Sequence, residues 1–193
     1  MTNTHASRRA VLRAAALTPL FVTMGTTMSD AAPALDPQNT LYMDLKDGRV
    51  VIELFPDVAP KAVAHVKALV AKHFYDGTPF HRVIDGFMAQ GGDPTGTGTG
   101  GSDLGNVPGE FSRQRHFLRG TVGAARTADP NSADSQFFIM FEPAPHLDGQ
   151  YTIWGQVVSG MEFVDKIKKG SGSSGMVSAP DKIIRMQLAA DAK

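Results

Sequence analysis

Phe80-His81-Arg82-Val83-Ile84-Asp85-Gly86-Phe87-Met88-Ala89-Gln90-Gly91-Gly92-Asp93 reads as two short strands folded on each other at Asp85-Gly86. Asp-Gly between apolar-rich runs is a strong hairpin signal, because glycine accepts the positive φ such turns demand. Among Phe, Val, Ile and Met the strands carry one arginine and one glutamine. A two-residue loop would pair Ile84 with Phe87 and send Arg82 and Gln90 to opposite faces. A three-residue loop, Asp85 to Phe87, pairs Ile84 with Met88 and Arg82 with Gln90. Side chains alternate with period two, so this second register, the one expected, puts Arg82, Met88 and Gln90 on one face. The hairpin alone leaves Arg82 equally readable as a surface charge on a barrel strand.

Upstream, Thr40 to Phe55 alternates around a second Asp-Gly turn, Asp47-Gly48, with Val50, Ile52 and Leu54 on one face. Asp57 to Lys72 reads as a helix: Asp57 favours its N-terminus, Pro60 suits the first turn, and Val63, Val66, Leu69 and Val70 recur at helical spacing. Downstream, Gly91 to Gly109 contains Gly96-Thr97-Gly98-Thr99-Gly100-Gly101, a G-x-G-x-x-G pattern. A phosphate site would need a helix opening at its end, which Ser102 to Gly109 cannot supply. The expectation is a flexible, tightly turned surface loop. Gly120 to Ala125 and Ser135 to Phe141 read as strands. The second shows Phe137, Ile139 and Phe141 on one face and Gln136, Phe138 and Met140 on the other, so it packs a core on one side and lines a groove on the other. Gln150 to Val158 is a further strand, with Trp154 a core aromatic. Gly160 to Lys169 is a short helix, Gly170 to Gly175 a Gly/Ser linker or loop, and Ile183 to Leu188 a closing strand. Short, turn-marked strands with two helices predict a single antiparallel barrel.

The chain has 193 residues, balanced at 19 basic and 19 acidic side chains, and no cysteine. No basic stripe points to nucleic acid, and neither a disulfide nor a thiol nucleophile is possible. Ser7-Arg8-Arg9-Ala10-Val11-Leu12-Arg13 is a twin-arginine pattern, followed by an apolar run from Ala14 to Met28 and by Ala32-Pro33-Ala34, an A-x-A-like cleavage site. Residues 1–34 are therefore expected to be an export signal, and 35–193 a mature domain working in a bacterial periplasm. The apolar run is too short and too weakly apolar for a membrane span. No stable membrane insertion is expected once the signal is removed.

No Ser-His-Asp set has a nucleophile-elbow context, and His65, His73, His81, His116 and His146 show no metal-ligand spacing. No metal and no cofactor are expected. What remains is an arginine, a glutamine and an apolar floor. One candidate chemistry for that inventory is rotation about a peptide bond preceding proline, which breaks no bond and needs no proton transfer. Its barrier is amide resonance, about 18–20 kcal/mol. An arginine facing the prolyl nitrogen would stabilise it as it becomes pyramidal and regains its lone pair, an interaction present only in the twisted state.

The motifs Phe80-His81-Arg82-Val83-Ile84, Phe87-Met88-Ala89-Gln90-Gly91-Gly92-Asp93, Asp134-Ser135-Gln136-Phe137-Phe138-Ile139 and His146-Leu147-Asp148-Gly149 closely resemble those of the cyclophilin family of peptidyl-prolyl cis-trans isomerases. The resemblance runs from about Asn39 to Ala189. It implies a mainly β fold, a closed eight-stranded antiparallel β-barrel capped by two α-helices. It further implies that Arg82 is catalytic, that Phe87, Met88, Phe138 and Leu147 form a proline pocket, and that Gln90 and Gln136 line the groove. Thr127 and Ala128 would lie where the family's loop runs along the peptide. Two positions depart from the family. Tyr151 stands where the proline pocket has a histidine. His146 stands where eukaryotic members often carry a tryptophan associated with cyclosporin binding. The implied partners are proline-containing polypeptides, and the expected state is a monomer. The enzyme reading is an isomerase assisting the folding of exported proteins. Its alternative is a non-catalytic chaperone or assembly factor using the same groove.

Overall fold

A computed structural model describes Met1, Thr2 and residues 34–192. The twin-arginine pattern and the apolar run lie outside the described residues. Among the described residues, eight strands follow in chain order: β1 (Thr40–Leu45), β2 (Gly48–Leu54), β3 (Arg82–Ile84), β4 (Met88–Gly91), β5 (Thr121–Ala124), β6 (Phe137–Met140), β7 (Ile153–Ser159) and β8 (Arg185–Leu188). Two α-helices join them, α1 (Pro60–Ala71) between β2 and β3 and α2 (Met161–Asp165) between β7 and β8. The strands form one antiparallel sheet in the order β3-β4-β6-β5-β7-β2-β1-β8.

The sheet curls into an open half-barrel, which corrects the closed barrel expected above. Its end strands, β3 and β8, share no ladder. Just before each of them, the chain makes only a short seam: one bridge pairs Pro79 with Lys182, and Phe80 N–H donates to Asp181 O at 2.9 Å. The physical reason is local. Pro79 has no N–H with which to extend the ladder. The free edge of β3 is instead taken by the Gly/Ser segment, where Val83 N–H donates to Gly175 O at 2.7 Å and Gly170 N–H to Val83 O at 2.9 Å. That segment is thus no linker; it covers an edge strand that would otherwise expose unpaired backbone.

Helix α1 begins three residues later than expected, and Asp57 is not its cap. The first-turn N–H groups of Lys61 and Ala62 are accepted instead by the Glu110 carboxylate, at 3.1 and 2.9 Å. A distant side chain therefore fills the orphan-donor positions of the helix start. Helix α2 is shorter than Gly160–Lys169, because the Lys168 N–H turns away to the Asp181 carboxylate at 2.8 Å.

Two apolar clusters share β6. Phe137, Ile139 and Phe141 join the main core with Val50, Ile52, Leu54 and the buried face of α1. Trp154 is buried there too. Phe138 and Met140 face the other way, into a smaller cluster with Phe55, Met88, Phe117 and Ile153. The alternation of one strand thus builds both the core and the floor of a surface site.

Candidate active site

The hairpin β3–β4 pairs Arg82 with Gln90 and Ile84 with Met88, the three-residue-loop register. On the neighbouring strand, Phe138 lies opposite Gln90 and Met140 opposite Met88. Arg82, Met88, Gln90, Gln136 and Phe138 therefore share one face. Phe138 stacks on Phe117 with ring centres 5.5 Å apart and meets Tyr151 edge-on at 5.8 Å. Gly123 permits this floor: a Cβ there would come within 2.6 Å of Phe138 Cζ and 2.7 Å of Phe117 Cε1.

Above the floor is a cavity of about 210 Å³. Its walls bring together Arg82, Phe87, Met88, Gln90, Phe138, Leu147 and Tyr151, seven of the ten residues singled out from sequence. A larger cavity of about 410 Å³ adjoins it, sharing Gln90, Ala125 and Arg126, and holds two more of the ten, Thr127 and Gln136. Ala128 lines neither; it is exposed, with its carbonyl turned towards the Arg126 guanidinium. Leu147 ends a 3₁₀ turn, Pro145–Leu147, and exposed His146 stacks on Phe87 with centres 5.9 Å apart.

One hydrogen-bond chain orients the polar side of the cavity. Arg82 Nε donates to Ser174 O at 3.0 Å, and Arg82 Nη1 donates to Gln90 Oε1 at 3.2 Å. Gln90 Nε2 donates to Gln136 Oε1 at 2.9 Å. Gln136 Nε2 donates to Gly98 O at 3.0 Å and Gly100 O at 2.9 Å. Arginine can only donate, so it fixes the sense of every amide after it. Among the described residues no carboxylate lies within ion-pair distance of Arg82. Its charge is aimed by two neutral acceptors and is not neutralised by them.

The far end of that chain is the glycine-rich stretch, which is not the flexible loop expected from its composition. Asp93 is fully buried and gathers the stretch around its carboxylate. Oδ1 accepts from Thr95 N–H and Oγ1, both at 2.8 Å; Oδ2 accepts from Gly98 N–H at 2.6 Å and Gly100 N–H at 3.1 Å. Burial opposes the charge, but these hydrogen bonds outweigh it and hold the pKa down at about 2. A pinned loop can present the Gly98 and Gly100 carbonyls to Gln136.

Sequence reasoning missed Arg126, Ala125, Ser174 and the Gly98 and Gly100 carbonyls. Backbone acceptors carry no side-chain signature, so no residue pattern announces them. The histidines fall apart as separate groups. His65 pairs with Asp134 at 2.9 Å, His116 with Asp148 at 2.7 Å, and His81 is buried, with desolvation pushing its pKa down. Among the described residues no three metal-ligating side chains gather, and no helix is long and apolar enough to cross a membrane.

Comparison with known proteins gives the family. Residues 40–188 match the family model described as cyclophilin type peptidyl-prolyl cis-trans isomerase/CLD. The chain is 51% identical to a probable peptidyl-prolyl cis-trans isomerase of Brucella suis, over 94% of this chain and 98% of that one. It is 42% identical to peptidyl-prolyl cis-trans isomerase B of Bacillus subtilis, over 68% of this chain and 92% of that one. A cyclophilin structure from Hirschia baltica superposes with a TM-score of 0.74 at 29% identity, covering 82% of this chain and 77% of its own. A Cryptosporidium parvum cyclophilin-type isomerase, solved in the presence of the dipeptide Ala-Pro, gives 0.71 at 32% identity, covering 77% and 98%. With its motifs, its half-barrel and its matched length, the chain belongs to the cyclophilin-type peptidyl-prolyl cis-trans isomerases.

Proposed function

We propose that Arg82 is the catalytic residue of this isomerase, that the 210 Å³ cavity takes the prolyl ring, and that the clients are exported proteins. The observation that carries the reading is the Arg82 cation, tethered through Nε and Nη1 at the wall of a cavity that Phe87, Met88, Phe138, Leu147 and Tyr151 also line, with its Nη2 unbonded among the described residues. Phe87, Met88, Phe138, Leu147 and Tyr151 grip the ring. Gln90 and Gln136 line the path of the peptide beside it, with Thr127 further along.

Twisting the amide moves the nitrogen lone pair out of resonance, and the free guanidinium edge meets it there. A hydrogen bond to a charged group contributes about 1.5–3 kcal/mol. A millionfold acceleration needs about 8 kcal/mol, so desolvation of the amide in the cavity must supply the larger share. The relative solved in the presence of Ala-Pro supports a proline-containing peptide as ligand. The chemistry asks for no metal and no cofactor, and one chain holds the whole site, in keeping with a monomer.

Arg82→Ala is expected to lower kcat/KM on a short Ala-Pro peptide by at least about a hundredfold in a protease-coupled assay, with the fold retained. An unchanged rate constant would defeat the mechanism. The twin-arginine pattern and the lack of cysteine support export to the periplasm. Mature protein there should begin near Leu35, and replacing Arg8 and Arg9 with lysine should keep it in the cytosol. Full-length wild type found in the cytosol would refute the export reading.

A further inference from the structure

Two loops distant in sequence meet at the smaller cavity: residues 126–128, leaving β5, and residues 147–151, entering β7. Arg126 spans them. Its Nε and Nη2 donate to Gln150 O at 3.2 and 2.8 Å. Its Nη1 donates to Thr127 O at 2.8 Å and to Ala128 O at 3.4 Å. Its guanidinium carbon lies 4.5 Å from the centre of the Tyr151 ring. Among the described residues it makes no ion pair, so the cation is held by carbonyls and a π-face alone. Arg126 also borders both cavities.

The wall needs such a hold. Tyr151 is half-buried, and Phe138 meets it only edge-on. Two residues before it, Gly149 sits at φ +68° with nothing within 4 Å of its absent Cβ, so no side-chain packing steadies the turn at that point. Gln150 is also tied to the other side of the turn: its N–H donates to Leu147 O at 3.1 Å, and its Nε2 to His146 O at 2.8 Å. Gripping the Gln150 carbonyl therefore restrains Leu147 and Tyr151 together. The planar guanidinium suits the task, because it places two donors on one carbonyl and further donors on the opposite loop.

We propose that Arg126 is a positioning residue that sets the affinity of the cavity for the prolyl ring. It holds Tyr151 and, through Gln150, Leu147 in place; it does not act on the rotating bond. This deepens the reading above and rests on the cavity being the proline pocket.

The test measures two quantities on the full mature chain by NMR with an Ala-Pro peptide: the dissociation constant, and the cis-trans exchange rate of bound peptide. Arg126→Ala is expected to raise the dissociation constant about tenfold while the bound exchange rate falls less than about threefold. Arg126→Lys keeps the charge but cannot bridge the loops, and should recover little of the loss. In a Tyr151→Ala background, Arg126→Ala should cost less than about threefold more, because the two act as a unit. An unchanged dissociation constant with only a lowered melting temperature would make Arg126 a structural brace and overturn the inference. Full rescue by lysine would overturn it too, since charge alone would then suffice. Arg82→Ala run alongside separates the two claims: an unaltered bound exchange rate there refutes the catalytic role of Arg82, whatever Arg126 does.

Discussion

Gly175→Ala tests whether the Gly/Ser segment aims Arg82. Gly175 sits at φ +70°, and a Cβ there would collide with Ile84 Cγ1 while lying 3.2 Å from Val83 O. Alanine in the left-handed region costs about 1 kcal/mol, and relieving the collision takes a shift of about 1 Å, for a total near 2–3 kcal/mol. For a domain of this size that lowers the melting temperature by roughly 4–10 °C. The same shift reaches the preceding residue, whose carbonyl holds Arg82 Nε at 3.0 Å. About 1 Å more breaks that bond. Arg82 is then tethered only through Gln90, and kcat/KM is expected to fall about tenfold, within the range that a misplacement of this size can cause. Gly172→Ala is the control: its φ is +65° but nothing lies within 4 Å of the added Cβ. It should melt slightly earlier and isomerise at a rate within about twofold of wild type. The measurements are thermal unfolding and a protease-coupled assay well below both melting points. A Gly175→Ala protein with the expected loss of stability and wild-type kcat/KM would refute the idea that Ser174 orients the arginine.

Acid titration should find Asp93. Its folded pKa of about 2 lies below its ordinary value of 3.8, so its contribution is complete above pH 3.8 and is lost as pH falls through about 2. The amount is about 2 kcal/mol, seen as a drop in melting temperature across that window that Asp93→Asn abolishes; a parallel drop in the variant would exclude Asp93 as the source. Glu110→Ala leaves the first-turn N–H groups of Lys61 and Ala62 without their carboxylate and should cost about 1 kcal/mol in chemical denaturation. Asp57→Ala, at the residue that sequence alone suggested as the favourable charge, should cost less.

The hairpin that carries Arg82 and Gln90 was legible because two short-range rules meet in it. Asp85-Gly86 marks a turn, and period-two alternation then leaves one register in which Arg82 and Gln90 share a face. The same alternation in Ser135 to Phe141 foretold a strand with two apolar faces, and the two clusters, one taking Phe137 and the other Phe138, are its realisation. What stayed hidden depends on backbone atoms and on partners far along the chain. Composition made Gly96 to Gly101 look loose, yet one buried carboxylate, that of Asp93, gathers it. Arg126 carried no pattern, because its partners are three carbonyls, one of them 24 residues away.

Local chain chemistry was enough to set the order of strands and helices, the pairing within the β3–β4 hairpin, and the face on which an arginine, a glutamine and an apolar floor would come together. Those properties follow from φ preferences and side-chain periodicity, which act over a few residues. Whether the sheet closed, which carboxylate capped α1, and what aimed the arginine were settled in three dimensions. Each depends on a backbone N–H or carbonyl meeting a partner across a long loop, and those backbone atoms are the same in every residue that supplies them.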